Sequence, residues 1–247
     1  MKAYLLAAGY ATRLYPLTRD RAKPLLEVGG APILTRILRR IESLQGLSEV
    51  VVISNARFAE QFQSWANEIE CSVPLRVIVD GSMNEDDRLG AVGDLAFALG
   101  RVPTAGEDWL VVAGDNLLEF DLRPLQRSFL RSRRPTLVIR DVVHDGPSPY
   151  NEVTLDEQQN VVSFREKPAN PSSAHAAIAL YFFTPEVATL LQRYLSEGGN
   201  PDAPGYFIEW LAREIPLVAA RFDGDWFDIG SAETLADARE RLRVDQG

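Results

Sequence analysis

Val50-Val51-Val52-Ile53 is a run of four β-branched residues with no polar position to turn toward water. A strand of that kind needs cover on both faces, as strands inside a parallel sheet have. Such cover lies on either side of it in sequence. Ile33, Leu34, Ile37, Leu38, Ile41 and Leu44 recur at helical spacing, and residues 58–69 read as an amphipathic helix. The alternation runs through the first half. Residues 2–7 read as a buried strand, 75–79 as a third strand, 89–99 as a helix, and 109–113 as a fourth strand ending in Gly114-Asp115. This order predicts a Rossmann-like α/β fold, three layers α/β/α, with helices on both faces of a mainly parallel mixed sheet.

The second half changes character. Residues 136–143, 152–155, 161–165 and 176–183 are strand candidates separated by short turns, with no helix between them. They predict antiparallel or mixed additions and a lobe over the sheet edge. Helices follow near 185–195 and 206–214, then a strand at 217–222. A last helix spans 232–242, with Ser231 as its N-cap. A length of 247 residues fits a single domain over 1–247.

The net charge of −9 argues against non-specific binding to nucleic acid, which draws on surplus Lys and Arg. The lone Cys71 rules out an intramolecular disulfide or a cysteine metal cluster. His144 and His175 lack metal-ligand spacing. The apolar start of the chain is too short for a signal peptide, and no stretch reaches the roughly 18 apolar residues of a membrane helix. The expectation is a cytoplasmic enzyme without a membrane partner.

The loop after the first strand carries the chemistry: Leu6-Ala7-Ala8-Gly9-Tyr10-Ala11-Thr12-Arg13-Leu14-Tyr15-Pro16-Leu17-Thr18, continuing to Lys23-Pro24-Leu25. It falls at the carboxyl edge of the sheet, where open α/β folds bind ligands. Small residues there let backbone N–H groups approach phosphate oxygens. Arg13 offers forked donors to a polyphosphate and Lys23 a mobile point charge. The P-loop and dinucleotide fingerprints are both absent.

This segment resembles the signature of the sugar-1-phosphate nucleotidylyltransferases, the glucose-1-phosphate thymidylyltransferases among them. The resemblance implies transfer of a nucleoside monophosphate from an NTP to a sugar-1-phosphate, giving an NDP-sugar and pyrophosphate. It implies a nucleotide-binding half over residues 1–120 and a sugar-phosphate-binding half over 121–247. Arg13 and Lys23 would be catalytic, acting on the phosphates. Leu6, Ala8, Gly9, Ala11, Thr12 and Gly90 would hold the nucleotide. Gly114-Asp115 and Trp226-Phe227-Asp228-Ile229-Gly230-Ser231 are similar to two later family motifs, in which Asp115 and Asp228 would bind Mg²⁺. Glu166-Lys167-Pro168 is similar to a sugar-binding motif, with Glu166 on hydroxyls and Lys167 on the sugar phosphate. The family also implies homo-oligomers, and a chain of this length has no room for the C-terminal β-helix that some members carry.

Departures from the family pattern fall in three places. Ala11 stands where a second glycine is usual, so a positive φ there would strain the loop. Asn151 and Ala179 stand where glycines are frequent, adding bulk near the expected sugar. Residues 80–90 lack the glutamine that accompanies thymidine or uridine nucleotides, so the base stays unassigned. Two alternatives remain open: a cytidylyltransferase acting on a non-sugar phosphate such as phosphocholine or inositol phosphate, and a catalytically silent regulatory subunit.

Overall fold

The computed structural model describes residues 1–142 and 150–243. The chain begins with β1 (Lys2–Leu6), a short hairpin of β2 (Glu27–Val28) and β3 (Ala31–Pro32), α1 (Ile33–Ile41), β4 (Glu49–Ser54) and α2 (Ala59–Glu68). It continues through β5 (Leu75–Val79), α3 (Ala91–Arg101), β6 (Trp109–Ala113), β7 (Asn116–Glu119) and α4 (Arg123–Ser132). Four strands follow: β8 (Thr136–Asp141), β9 (Glu152–Leu155), β10 (Val161–Arg165) and β11 (His175–Phe183). The described chain ends with α5 (Val187–Ser196), α6 (Pro204–Glu214), β12 (Val218–Arg221), β13 (Asp225–Asp228) and α7 (Ala232–Arg241).

Seven strands make the central sheet, in the order β12-β8-β11-β6-β1-β4-β5. All neighbours are parallel except β11, which runs against both β6 and β8. Strand periodicity sorts the core into two layers. Ala3, Leu5, Val50, Val52, Leu110 and Val112 face one apolar cluster, which takes in buried residues of α1, α2, α4 and α7. Tyr4, Val51, Ile53, Trp109 and Val111 face the other, shared with α3, α5 and α6. Each buried Val, Leu or Ile contributes about 1.5–3 kcal/mol over exposure, so a one-residue slip would still bury apolar groups but mismatch every size. Polar anchors make the register specific. Trp109 donates its indole N–H to Thr184 O at 3.0 Å, and the Tyr4 hydroxyl donates to Val102 O at 2.6 Å.

The structure departs from the sequence expectations in places with clear physical reasons. Helix α4 carries only Leu125 and Phe129 as buried apolar anchors among arginines, too faint a stripe to read. Strands β8, β11 and β12 enter the main sheet, and the separate lobe reduces to the β9–β10 hairpin packed against α6. Helix α3 starts at Ala91 because Gly90, at φ 78°, turns the chain into it. The expected end of β8 at Val143, and His144, lie outside the described residues. Ser231 caps α7 as expected: its hydroxyl accepts from Thr234 N while the Thr234 hydroxyl accepts from Ser231 N.

Candidate active site

Strands β1 and β6 are parallel neighbours, and the chain leaves β1 toward β4 and β5 on the far side. Adjacent strands whose connections part in this way open a crevice at their carboxyl ends. Gly114 closes its floor. Its N–H donates to Leu6 O at 2.8 Å, and a Cβ on residue 114 would also sit 2.8 Å from that oxygen. The resulting cleft holds about 300 Å³ and is lined by Leu6, Ala8, Gly9, Ala11, Gly90, Lys23 and Asp115, among others. A second compartment of about 250 Å³ shares Ala113, Asp115, Ala179 and Pro204 with the first. It adds Asn151, Glu166, Lys167 and Asp228. Eleven of the thirteen residues singled out in the sequence therefore face one continuous, two-chambered groove. Thr12 and Arg13 do not line it; they sit on an exposed 3₁₀ turn at its rim, Thr12–Leu14.

The loop at the rim is built by Ala11, which adopts the left-handed conformation at φ 49°, ψ 44°. The Leu14 N–H and the Thr18 hydroxyl both donate to Ala11 O, at 3.0 and 2.7 Å. That fold leaves the N–H groups of Gly9, Ala11 and Thr12 without an acceptor among the described residues. Successive free N–H groups of this kind form an anion-binding concavity. The alanine thus takes the positive φ that a glycine would adopt at less cost.

A small sheet outside the main one brings the two distant carboxylates together. Strand β13 pairs antiparallel with β7, with Asp228 opposite Asn116, and Ile229 N donates to Asp115 O at 3.1 Å. The Trp226 indole N–H, buried, donates to Asn116 Oδ1 at 2.7 Å and fixes this pairing. Lys23 closes the cluster: its Nζ donates to Asp115 Oδ2 at 2.5 Å and to Ile229 O at 3.0 Å. Burial raises the Asp115 carboxyl, but the Lys23 charge and hydrogen bonds from Lys23 and Asn116 outweigh it and hold the group below its usual range. Asp228 goes the other way. Burial and then the neighbouring Asp115 charge push it up to about 6, against the weaker pull of Lys23 and Lys167.

Among the described residues no group of three or more His, Cys, Asp or Glu gathers as a metal cage. Two carboxylates facing a cleft nevertheless fit Mg²⁺, which binds through one or two carboxylates and completes its shell with water and phosphate oxygens.

The second chamber is held by its own contacts. Asn151 is tied down, its Oδ1 accepting from Ala177 N at 2.8 Å. Glu166 is buried against the first turn of α6, and a Cβ on Gly205 would fall 1.7 Å from Glu166 Oε2. Burial raises the Glu166 carboxyl, Lys167 lowers it and Glu209 raises it further. Lys167 is exposed, with its Nζ 3.9 Å from Glu166 Oε1.

The groove also takes in side chains that the sequence reading did not single out: Arg88, Asp94, Asp202 and Pro204. Arg88 bridges Asp202 at 2.9 Å across the cleft mouth. Asp94 lies on the buried side of α3 with Val92, Leu95 and Ala98. An acid at that helical spacing was the available signal.

Comparisons with known proteins give the chain's family and fold. The chain is 28% identical to the bifunctional protein GlmU of Methanococcus aeolicus over 98% of its length, and spans 54% of that relative. It spans the same share of the GlmU of Methanocaldococcus jannaschii, so it covers about half the length of these relatives. A UTP–glucose-1-phosphate uridylyltransferase of Haloferax volcanii is 28% identical and matches over 97% of its own length. In fold, the chain superposes with a TM-score of 0.84 on a structure described as a putative glucose-1-phosphate thymidylyltransferase from Bacillus anthracis. That likeness covers all of this chain and 97% of the other, at 21% identity. A nucleotidyl transferase family model matches residues 2–244, and the chain belongs to that family.

Proposed function

We propose that the protein transfers a nucleoside monophosphate from an NTP to a sugar-1-phosphate, forming an NDP-sugar and pyrophosphate. The observation that carries this reading is the union of two chambers at Asp115: an N–H-rich loop with Lys23 on one side, Glu166 and Lys167 on the other. A reaction between two phosphates needs two anion sites meeting at one point. The first chamber, lined mainly by residues of 1–120, is assigned to the nucleotide, and the second, lined mainly by residues of 121–247, to the sugar phosphate.

The sugar phosphate oxygen attacks the α-phosphorus in line, and the bond from that phosphorus to the bridging oxygen breaks, releasing pyrophosphate. No general base is required, because the nucleophile is already an anion. The free N–H groups of Gly9, Ala11 and Thr12 cradle the phosphates at the loop. Lys23 balances charge beside the α-phosphate. Arg13, which has no ion-pair partner among the described residues, reaches from the rim to the leaving group. Glu166 accepts from sugar hydroxyls and Lys167 neutralises the sugar phosphate. Asp115 and Asp228 would hold Mg²⁺, whose bound charge offsets that of the reacting phosphates. Orientation and charge neutralisation supply most of the acceleration.

The test is pyrophosphate release from each NTP against a panel of sugar-1-phosphates with Mg²⁺, with phosphocholine and inositol phosphate as additional acceptors. Turnover confined to a sugar-1-phosphate pair is the expected result. Turnover only with a non-sugar acceptor, or none with folded protein, would refute it.

A further inference from the structure

Asn151 stands one residue before β9 and Glu166 one residue after β10. The antiparallel ladder between these strands ends with Arg165 opposite Glu152, so its continuation sets Glu166 opposite Asn151. Residues directly opposite in such a ladder project to the same face. Here that face is the inner one. Val153 and Phe164, on the same side of the hairpin, are buried in the core, whereas Glu152 and Arg165 pair at 2.6 Å on the other side. Asn151 and Glu166 accordingly both line the second chamber.

The backbone fixes the polarity of Asn151. Its Oδ1 accepts from Ala177 N at 2.8 Å, and an N–H can be met only by the oxygen of an amide. The Nδ2 donors therefore occupy the other branch of the side chain. Nδ2 has no acceptor among the described residues, and it is not sealed from solvent. The Glu166 carboxylate likewise accepts no hydrogen bond among the described residues, and Lys167 Nζ at 3.9 Å from Oε1 is beyond hydrogen-bond range. The chamber thus presents a tethered donor and an acceptor side by side.

Such a pair matches a ligand that offers an acceptor and a donor on neighbouring atoms. Adjacent hydroxyls on a saturated ring do so: one donates to the carboxylate while the next accepts from the amide. A trimethylammonium group offers neither. A carboxylate would suit Asn151 but be repelled by Glu166, Asp115 and Asp228. The glycine frequent at position 151 in the family carries no donor, so this half of the pair is particular to this chain. We infer that Asn151 is a specificity-determining residue, donating Nδ2–H to one hydroxyl of a vicinal pair whose other hydroxyl Glu166 holds. This rests on the second chamber being the sugar-phosphate site.

The test is steady-state turnover at saturating NTP with glucose-, galactose- and mannose-1-phosphate, followed by the 2-, 3-, 4- and 6-deoxy analogues of the best of them. On wild-type protein, two analogues that lack hydroxyls at adjacent ring positions should each lose about 10-fold in kcat/KM. Asn151→Leu should lose about 10-fold on the parent sugar phosphate, through its KM, with the KM for NTP unchanged. On one of those two analogues, the one missing the hydroxyl that Asn151 reads, the variant should lose nothing further. On the other it should lose as it does on the parent. Asn151→Gly, which lets water reach Ala177 N, should reproduce this pattern and serves if the leucine variant fails to fold. An equal loss on the parent and on every analogue would mark a merely structural role and overturn the inference. Unchanged kcat/KM in both variants, or wild-type losses confined to one position or to positions that are not adjacent, would also overturn it. Absence of wild-type turnover with any sugar-1-phosphate would instead count against the transfer reaction itself.

Discussion

Replacing Asp94 by asparagine should stabilise the protein at alkaline pH and not at acid pH. Burial, then the charge and hydrogen bond of Asp80, push the Asp94 carboxyl up from 3.8 to about 8. Between those values the folded protein holds a proton that the unfolded chain has released. Stability therefore falls as pH rises through this window and levels off above about 8, the slope being set by the excess of protons bound in the folded state. Each pH unit is worth about 1.4 kcal/mol per proton, so the ceiling from about pH 5 to about pH 8 is near 4 kcal/mol. The cleft is open to water beside Asp94, and rehydration on ionising should leave about 2 kcal/mol of it. Asparagine has no proton to lose and removes the slope. Urea unfolding of both proteins at the two pH values measures the difference, with unchanged m-values as the control. The wild type should lose about 2 kcal/mol relative to the variant between about pH 5 and about pH 8. Parallel pH dependences would refute the assignment of a buried, protonated Asp94.

Other perturbations probe the frame around the site. Ala11→Gly should raise stability by about 1 kcal/mol in thermal unfolding, by removing the cost of a left-handed alanine; a destabilised variant would contradict that conformation. Gly205→Ala puts a methyl 1.7 Å from Glu166 Oε2 and should expel the carboxylate. Its expected signature is a raised KM for the sugar phosphate with nucleotide affinity unchanged, and an unaltered KM would remove Glu166 from the second chamber. Trp226→Phe leaves Asn116 Oδ1 buried without its donor, at a cost of about 1–3 kcal/mol in denaturant unfolding. It should also lower kcat, because the same bond aligns Asp115 with Asp228; full activity would separate the β7–β13 pairing from catalysis.

What the sequence made legible was what chain neighbours decide. Residues 50–53 announced a doubly covered strand, and β4 is buried at every position. The loop from Leu6 to Lys23 was readable because its small residues and cations lie in one stretch of sequence, although the groove it enters is closed by residues of distant elements such as Gly90, Asp115 and Asp202. The Asp115–Asp228 encounter rested on resemblance alone. It depends on two four-residue strands far apart in the sequence pairing with each other, and neither strand has a pattern long enough to declare a partner. Glu166 against Gly205 is likewise a long-range fit, invisible until α6 is docked on β10. Asp94 went unread, although Ala91, Asp94, Leu95 and Ala98 share one helical face on which an acid is out of place. Arg13 marks the opposite limit, a motif residue that the fold places at the rim and not on the groove wall.

The convergence of Asp115, Asp228 and Lys23 at the junction of the two chambers is the centre of the account. Electron paramagnetic resonance of Mn²⁺ with a non-hydrolysable NTP measures it directly, since protein-bound and free ions differ in line shape. Wild-type protein should immobilise the ion only when nucleotide is present, and Asp115→Asn and Asp228→Asn should each abolish that signal while still binding nucleotide. An undiminished signal in both variants would contradict the account.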